Sequence, residues 1–259
     1  MTLISMSQKK FILSIAGHDP TNAAGTSIDL LVANEFNMHC LSAISNLTVQ
    51  DAKKLHKIEE LNAKLFKKNL KNLNNNFEIS GIKIGALSST KIIETTANFL
   101  SKIKQIPLII DPIVSAGGGG NFLNKKDKDF ALQNLYPLAT LLTPNIYELN
   151  ALSGLRNEDD SVKKLLDLGI NKIYVTGQDV KKEIINRLYI DGKLEFEVKT
   201  TKINKKIRGT GCALSTSILC SLIKTNNLIE SCSKANKFLE KRLKNSIYTG
   251  YQEFINFKK

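Results

Sequence analysis

Apolar residues fall along this chain in short runs separated by longer stretches of helical spacing. Phe11 to Gly17 is apolar except for Ser14 and reads as a buried strand, and Ser27 to Asn37 carries Ile28, Leu31, Val32 and Phe36 on one helical face. The alternation repeats: strand Leu41 to Val49, helix Asn62 to Leu73, strand Ile79 to Ile84, helix Lys91 to Lys104. Three further short apolar runs follow, Leu108 to Ile110, Leu141-Leu142 and Lys172 to Thr176. Such runs, divided by helices, predict a parallel sheet covered on both faces. The period then changes. Ile184 to Ile190 and Leu194 to Thr200 flank Asp191-Gly192, a hairpin signal that predicts an antiparallel edge. Cys212 to Ile223 and Leu228 to Tyr248 predict two closing helices, the second basic on one face.

Composition narrows this picture. A chain of 259 residues, 42% hydrophobic, buries the core of one large α/β domain spanning 1–259, with residues 1–10 a loose extension. No stretch approaches the roughly 20 apolar residues of a membrane-crossing helix. Cys40, Cys212, Cys220 and Cys232 form no C-x-x-C pair, which fits a reducing cytoplasm. The net charge of +13 comes from lysines spread along the chain, such as Lys53-Lys54 and Lys181-Lys182. No nucleic-acid motif or aromatic stacking pattern accompanies them, so no nucleic-acid partner is expected; the positive potential would attract small anions.

The candidate chemistry gathers where the strands end, outside the carboxyl edge of an open sheet. Gly17 to Gly25 follow the first strand, Gly85 the third and Asp111-Pro112 the fourth, with Gly117 to Gly120 beyond. Arg208-Gly209-Thr210-Gly211-Cys212 lies between the hairpin and a helix. Its glycines can turn backbone N–H groups toward one point, where the helix start adds about half a positive charge, making an anion hole suited to phosphoryl transfer. Cys212 reads either as a small buried hydrophobe or as a thiol whose pKa the amide dipoles lower, able to act as a base. Asn145 and Glu148 read as a capping box, and their oxygens could also hold Mg²⁺ through water. Asp19 precedes Pro20 in a turn, an ordinary place for aspartate, whereas Asp29 inside an apolar helix is the more suspicious. Gln50 could pair with a heterocycle edge. His18, His39 and His56 show no metal-ligand spacing.

In order along the chain, Ala16-Gly17-His18-Asp19-Pro20, Ala24-Gly25, Asp29-Leu30, Lys83-Ile84-Gly85, Asp111-Pro112-Ile113-Val114, Leu142-Thr143-Pro144-Asn145 with Glu148, and Gly209-Thr210-Gly211-Cys212 match one family. The chain resembles the hydroxymethylpyrimidine and phosphomethylpyrimidine kinases of thiamine biosynthesis, a branch of the ribokinase-like kinases. That resemblance implies a three-layer αβα fold with a mostly parallel central sheet, an antiparallel edge hairpin and helices on both faces. It implies ATP and Mg²⁺ as cofactors, a small pyrimidine substrate, and a homodimer. Gly17, Ala24, Asp29 and Gln50 would hold the pyrimidine. Gly209, Thr210, Gly211 and Cys212 would hold the reacting group, with Cys212 where most ribokinase-like enzymes carry a catalytic aspartate. Asp111, Asn145, Glu148, Thr176, Gly177 and Arg208 would serve ATP and magnesium, the metal held through water near Asp111 and Glu148. The chain departs from the family pattern at Thr21-Asn22-Ala23, at Ser115-Ala116-Gly117, at Arg208 in place of the usual histidine, and at Thr176, where a lysine is common. Arg208 is the candidate to restore the missing charge. Alternative readings are a pyridoxal-type vitamin kinase and a ligand-binding relative with weakened catalysis; a dinucleotide-dependent oxidoreductase is excluded by the absence of G-x-G-x-x-G after the first strand.

Overall fold

Alternation along the strands divides the core into two layers, one on each face of a single sheet. In β1 (Phe11–His18), Leu13 and Ile15 point to one face and Ile12 to the other. The same split recurs in β5 (Leu108–Ile110) and β6 (Leu141–Leu142), where Leu108, Ile110 and Leu142 oppose Ile109 and Leu141. Against the first face pack α2 (Ala63–Asn76), α3 (Thr90–Leu100), α4 (Lys125–Asn134), α5 (Ile146–Ser153) and α6 (Glu158–Leu166), through Phe66, Ile92, Ala131, Leu149 and Val162. Against the second pack α1 (Gly25–Glu35), α7 (Thr210–Thr225) and α8 (Leu228–Leu243), through Ile28, Ile218 and Ala235. The computed structural model describes residues 9–115, 120 and 122–258. The expected loose segment 1–10 therefore lies mostly outside the described residues, as do positions 116–119 of the glycine-rich loop.

The sheet has nine strands in the order β3-β2-β1-β4-β5-β6-β7-β8-β9. They include β2 (His39–Gln50), β3 (Leu55–Glu60), β4 (Ile79–Ile84), β7 (Lys172–Val180), β8 (Glu183–Ile190) and β9 (Lys193–Thr201). The centre from β2 to β7 is parallel; β3 and the β8–β9 hairpin run antiparallel at the two edges. The hairpin turns at Asp191 (φ 49°) and Gly192 (φ 77°), the positive φ pair that a tight two-residue turn requires. From β1 the chain first steps to β2 and then returns to β4 on the other side, so the carboxyl ends of β1 and β4 border a topological switch point.

Three features differ from the sequence expectation. Strand β3 was not expected, because Leu55 and Ile58 are its only partly buried apolar residues and the rest is charged. Helix α8 ends at Leu243 instead of Tyr248, since Ile247–Tyr248 form β11, paired with β12 (Glu253–Phe254). β12 also pairs in parallel with β10 (Ile207–Arg208), and this small second sheet fixes the chain entering the glycine turn.

Candidate active site

Between β10 and α7 the backbone turns at Gly209, whose φ of 80° suits glycine. A Cβ there would lie 2.1 Å from the Ala23 carbonyl oxygen, so this turn packs directly on the loop after β1. Gly25 repeats the arrangement, with φ 62° and the Gly17 carbonyl oxygen 2.2 Å from where a Cβ would be. The two loops interlock at the mouth of a cleft of about 650 Å³. Among the described residues no side chain caps the 16-residue helix α7, which leaves its first amides free to face an anion. Thr210, Gly211 and Cys212 line the cleft, and a Cβ on Gly211 would sit 3.8 Å from an Asp111 carboxylate oxygen.

The Cys212 thiol is buried and its pKa is pushed up to about 12. Burial is the largest cause; the Asp111 and Asp29 carboxylates add to it, while Lys83 and the Gly25 amide oppose. Desolvation therefore favours the buried, neutral thiol over the reading in which helix amides lower this pKa. Asp111 is raised by burial and by Asp29, against the pull of Lys83 and of hydrogen bonds from Cys212 and Ser215. Glu148 is pushed up to about 8, by burial and then by Asp111, with the Asn145 amide opposing. The capping box is present: the Asn145 side-chain Oδ1 accepts from the Glu148 backbone N–H at 2.9 Å and the Glu148 carboxylate accepts from the Asn145 backbone N–H at 2.9 Å.

Thr176 lines the cleft because the pairing of β7 with β8 shifts register between Val175 and Gln178, a bulge that turns the backbone there. The Thr176 amide donates to the Pro144 carbonyl at 2.9 Å, which draws it against Asn145. Gly177 is not in the cleft wall; its amide donates to Asn186 at 2.8 Å.

Several expected residues stand elsewhere than the sequence reading put them. Asp29 is wholly buried and does not line the cleft. It accepts from Ser14 at 2.5 Å and Thr216 at 2.6 Å and pairs with Lys83 at 3.0 Å, so its place is beneath the site, as the counter-charge of a buried lysine. Lys83 is held above its ordinary pKa: burial alone would lower it, and its pairing with the Asp29 carboxylate outweighs burial. Asp19, read as an ordinary turn residue, does line the cleft and is only 2% exposed. Arg208 is not free to replace a lysine at Thr176: its guanidinium donates to the Gln50 side-chain carbonyl and, at 2.9 Å, to the Asp51 backbone carbonyl, and lies 3.4 Å from Asp19. Gln50 is held at both ends, because its amide nitrogen donates to Thr48 at 2.7 Å. Gly17, Ala24, Gln50, Asp111, Asn145, Glu148 and Thr176 all line one cleft, as does His18. Lys206 and Gln252 are among the lining residues that were not anticipated. Lysine before a glycine turn was a usable signal; Gln252 reaches the cleft only through the small second sheet, which no pattern announced.

A model of the phosphomethylpyrimidine kinase family matches residues 19–255 of this chain. The hydroxymethylpyrimidine/phosphomethylpyrimidine kinase of Aquifex aeolicus is 30% identical over 240 residues, covering 90% of this chain and 94% of the relative. A crystal structure of phosphomethylpyrimidine kinase from Clostridium difficile aligns with a TM-score of 0.78 at 26% identity, covering 91% of this chain and all of the other. The ADP complex of Bacillus subtilis pyridoxal kinase aligns with a TM-score of 0.85 at 24% identity, over 96% and 97% of the two chains, and shares the fold.

Proposed function

The chain belongs to the phosphomethylpyrimidine kinase family, and from that premise we propose that it transfers the terminal phosphoryl group of ATP to hydroxymethylpyrimidine and to the resulting monophosphate, as a phosphotransferase of thiamine biosynthesis. The observation that carries this reading is the uncapped start of α7 opening on the cleft, with Asp111 beside Gly211. Amides of the turn Gly209 to Cys212 hold the transferring group, stabilising charge on its oxygens as the acceptor oxygen bonds to phosphorus and the bond to ADP breaks. The acceptor lies toward His18, Gln50 and Arg208, and the nucleotide toward Asn145 and Thr176. Burial keeps Cys212 as the thiol. It borders the reacting atoms and orients the acceptor, and a loose transition state does not need the hydroxyl deprotonated beforehand, its proton leaving late to a phosphoryl oxygen and then to water.

Burial and then the Asp111 carboxylate raise the pKa of Glu148, a charge repulsion that a divalent cation would relieve. Among the described residues no three His, Cys, Asp or Glu side chains gather as a metal cage. A pair of carboxylates suits Mg²⁺, which keeps water and shares substrate phosphates; when bound it neutralises phosphoryl oxygens. Asp111 and Glu148 would hold it.

The four buried free thiols fit a reducing cytoplasm. Among the described residues no helix is long and apolar enough to cross a membrane. A homodimer is also proposed, supported by Leu47 and Val49, which share one face of β2 and are 41% and 57% exposed. Sedimentation velocity of the protein and of Val49→Lys checks it: a monomer for the native chain overturns it.

Release of ADP with hydroxymethylpyrimidine, its monophosphate and pyridoxal as acceptors tests the function. Turnover with the two pyrimidines supports it. Turnover with pyridoxal alone would transfer the protein to the pyridoxal-kinase reading, and no turnover with any acceptor would make it a ligand-binding relative.

A further inference from the structure

Lys206 immediately precedes β10, and in extended chain it shares a face with Arg208 two residues on. Both line the cleft, on the side where Arg208 reaches Gln50 and Asp19. The Lys206 carbonyl accepts from the Glu253 amide at 2.9 Å, which anchors Gln252 beside it. The cleft's other charged side chains are otherwise engaged: Arg208 lies 3.4 Å from Asp19, Asp111 lies beside Gly211, and Glu148 bonds to the Asn145 amide. Neighbouring Lys205 is paired with Glu253 at 3.0 Å. Lys206 is exposed and makes no ion pair or hydrogen bond through its ammonium with any described residue. Gln252 is 5% exposed, and its amide nitrogen is buried without a hydrogen-bond partner among the described residues. A buried donor left unpaired is unfavourable, and a ligand oxygen would satisfy it.

We propose that Lys206 and Gln252 form the subsite for the acceptor's own phosphate, so that they favour phosphomethylpyrimidine over the uncharged alcohol. The inference rests on the kinase reading above. A phosphate ester beside an unpaired ammonium and an amide donor gains charge-assisted hydrogen bonds that the alcohol lacks. The turn Gly209 to Cys212 is already committed to the transferring group, and Arg208 is balanced by Asp19, which leaves Lys206 as the cation for a second anion. In this step an oxygen of the acceptor phosphate bonds to the terminal phosphorus of ATP, the bond to ADP breaks, and a diphosphate ester results.

The test is steady-state kinetics on the purified protein, Lys206→Met, Lys206→Arg and Gln252→Leu, with both acceptors at saturating ATP. The ratio of kcat/KM for the monophosphate to that for the alcohol should fall on the order of tenfold in Lys206→Met and in Gln252→Leu, and recover in Lys206→Arg. An unchanged ratio, or an equal loss on both acceptors, overturns the subsite. Those results leave the kinase reading standing, whereas no ADP from either acceptor in the native protein sinks both. If Gln252→Leu fails to fold, Lys206→Met and its arginine rescue decide alone.

Discussion

Cys212 sits at the start of a helix, where amide dipoles favour a thiolate, yet its burial among Asp111, Asp29 and Lys83 pushes its pKa up to about 12. A thiol held that high does not serve as a base at neutral pH. Once Glu148 has ionised, above about pH 8, turnover is then expected to level off, whereas catalysis by a minor thiolate would keep raising it about tenfold per unit. Cys212→Ala should lower kcat far more than it raises the KM for ATP, and near-normal kcat in that variant would remove the residue from the reaction. Glu148 gives a second prediction. Its pKa rises from 4.5 to about 8 on folding, so between those values the unfolded chain has lost a proton that the folded chain keeps. Stability conferred below 4.5 is lost as pH climbs toward 8. Glu148→Gln keeps an oxygen for the Asn145 amide and removes the titration, so its melting temperature should change less than the native protein's from pH 5 to pH 8; parallel curves by scanning fluorimetry would refute this. The sequence reading favoured Asp29 over Asp19, and the cleft is lined by Asp19 instead. Both are aspartates near the first strand, and which one meets the cleft depends on the partners folding supplies, Arg208 for one and Lys83 for the other.

At the scale of elements, Asp29 ties four of them together: α1 carries it, β1 gives Ser14, β4 gives Lys83 and α7 gives Thr216. Removing one partner of a buried pair leaves an uncompensated charge, at roughly 3–5 kcal/mol. Lys83→Met should therefore lower the melting temperature by roughly 10 °C, and adding Asp29→Leu should restore part of it. A Lys83→Met protein as stable as the native one would show that the pair contributes little. The parallel strands were legible because each is an apolar run buried on both faces, as Leu108 to Ile110 shows. β3 was not, because an edge strand with Lys57 and Glu59 paired on its surface protects itself with charge and loses the apolar signature. The second sheet was hidden for a different reason. Ile247–Tyr248 and Glu253–Phe254 are two residues each, too short to show a period, and Glu253–Phe254 pair with a strand 46 positions earlier. That sheet holds Gln252 beside Lys206, so the part of the site least visible in the sequence is the part set by very short strands paired at long range.

For the molecule as a whole, the net charge of +13 remains to be placed. Spread lysines and the absence of stacking aromatics argue against a nucleic-acid surface, and the reaction in this cleft involves an anionic nucleotide and, in its second step, an anionic acceptor. A positive field raises the encounter rate with such substrates and is screened within about 10 Å at 0.1 M salt. Raising sodium chloride from 20 to ~300 mM should then lower kcat/KM for ATP by about threefold while leaving kcat nearly constant. The uncharged alcohol supplies an internal control, because its own kcat/KM at saturating ATP should hardly move. If salt depresses the alcohol and ATP values equally, the effect is on the folded protein and the charge has no part in substrate capture. If it depresses neither, the lysines are a solvated surface alone, and recognition of anions falls to the few side chains and amides inside the cleft.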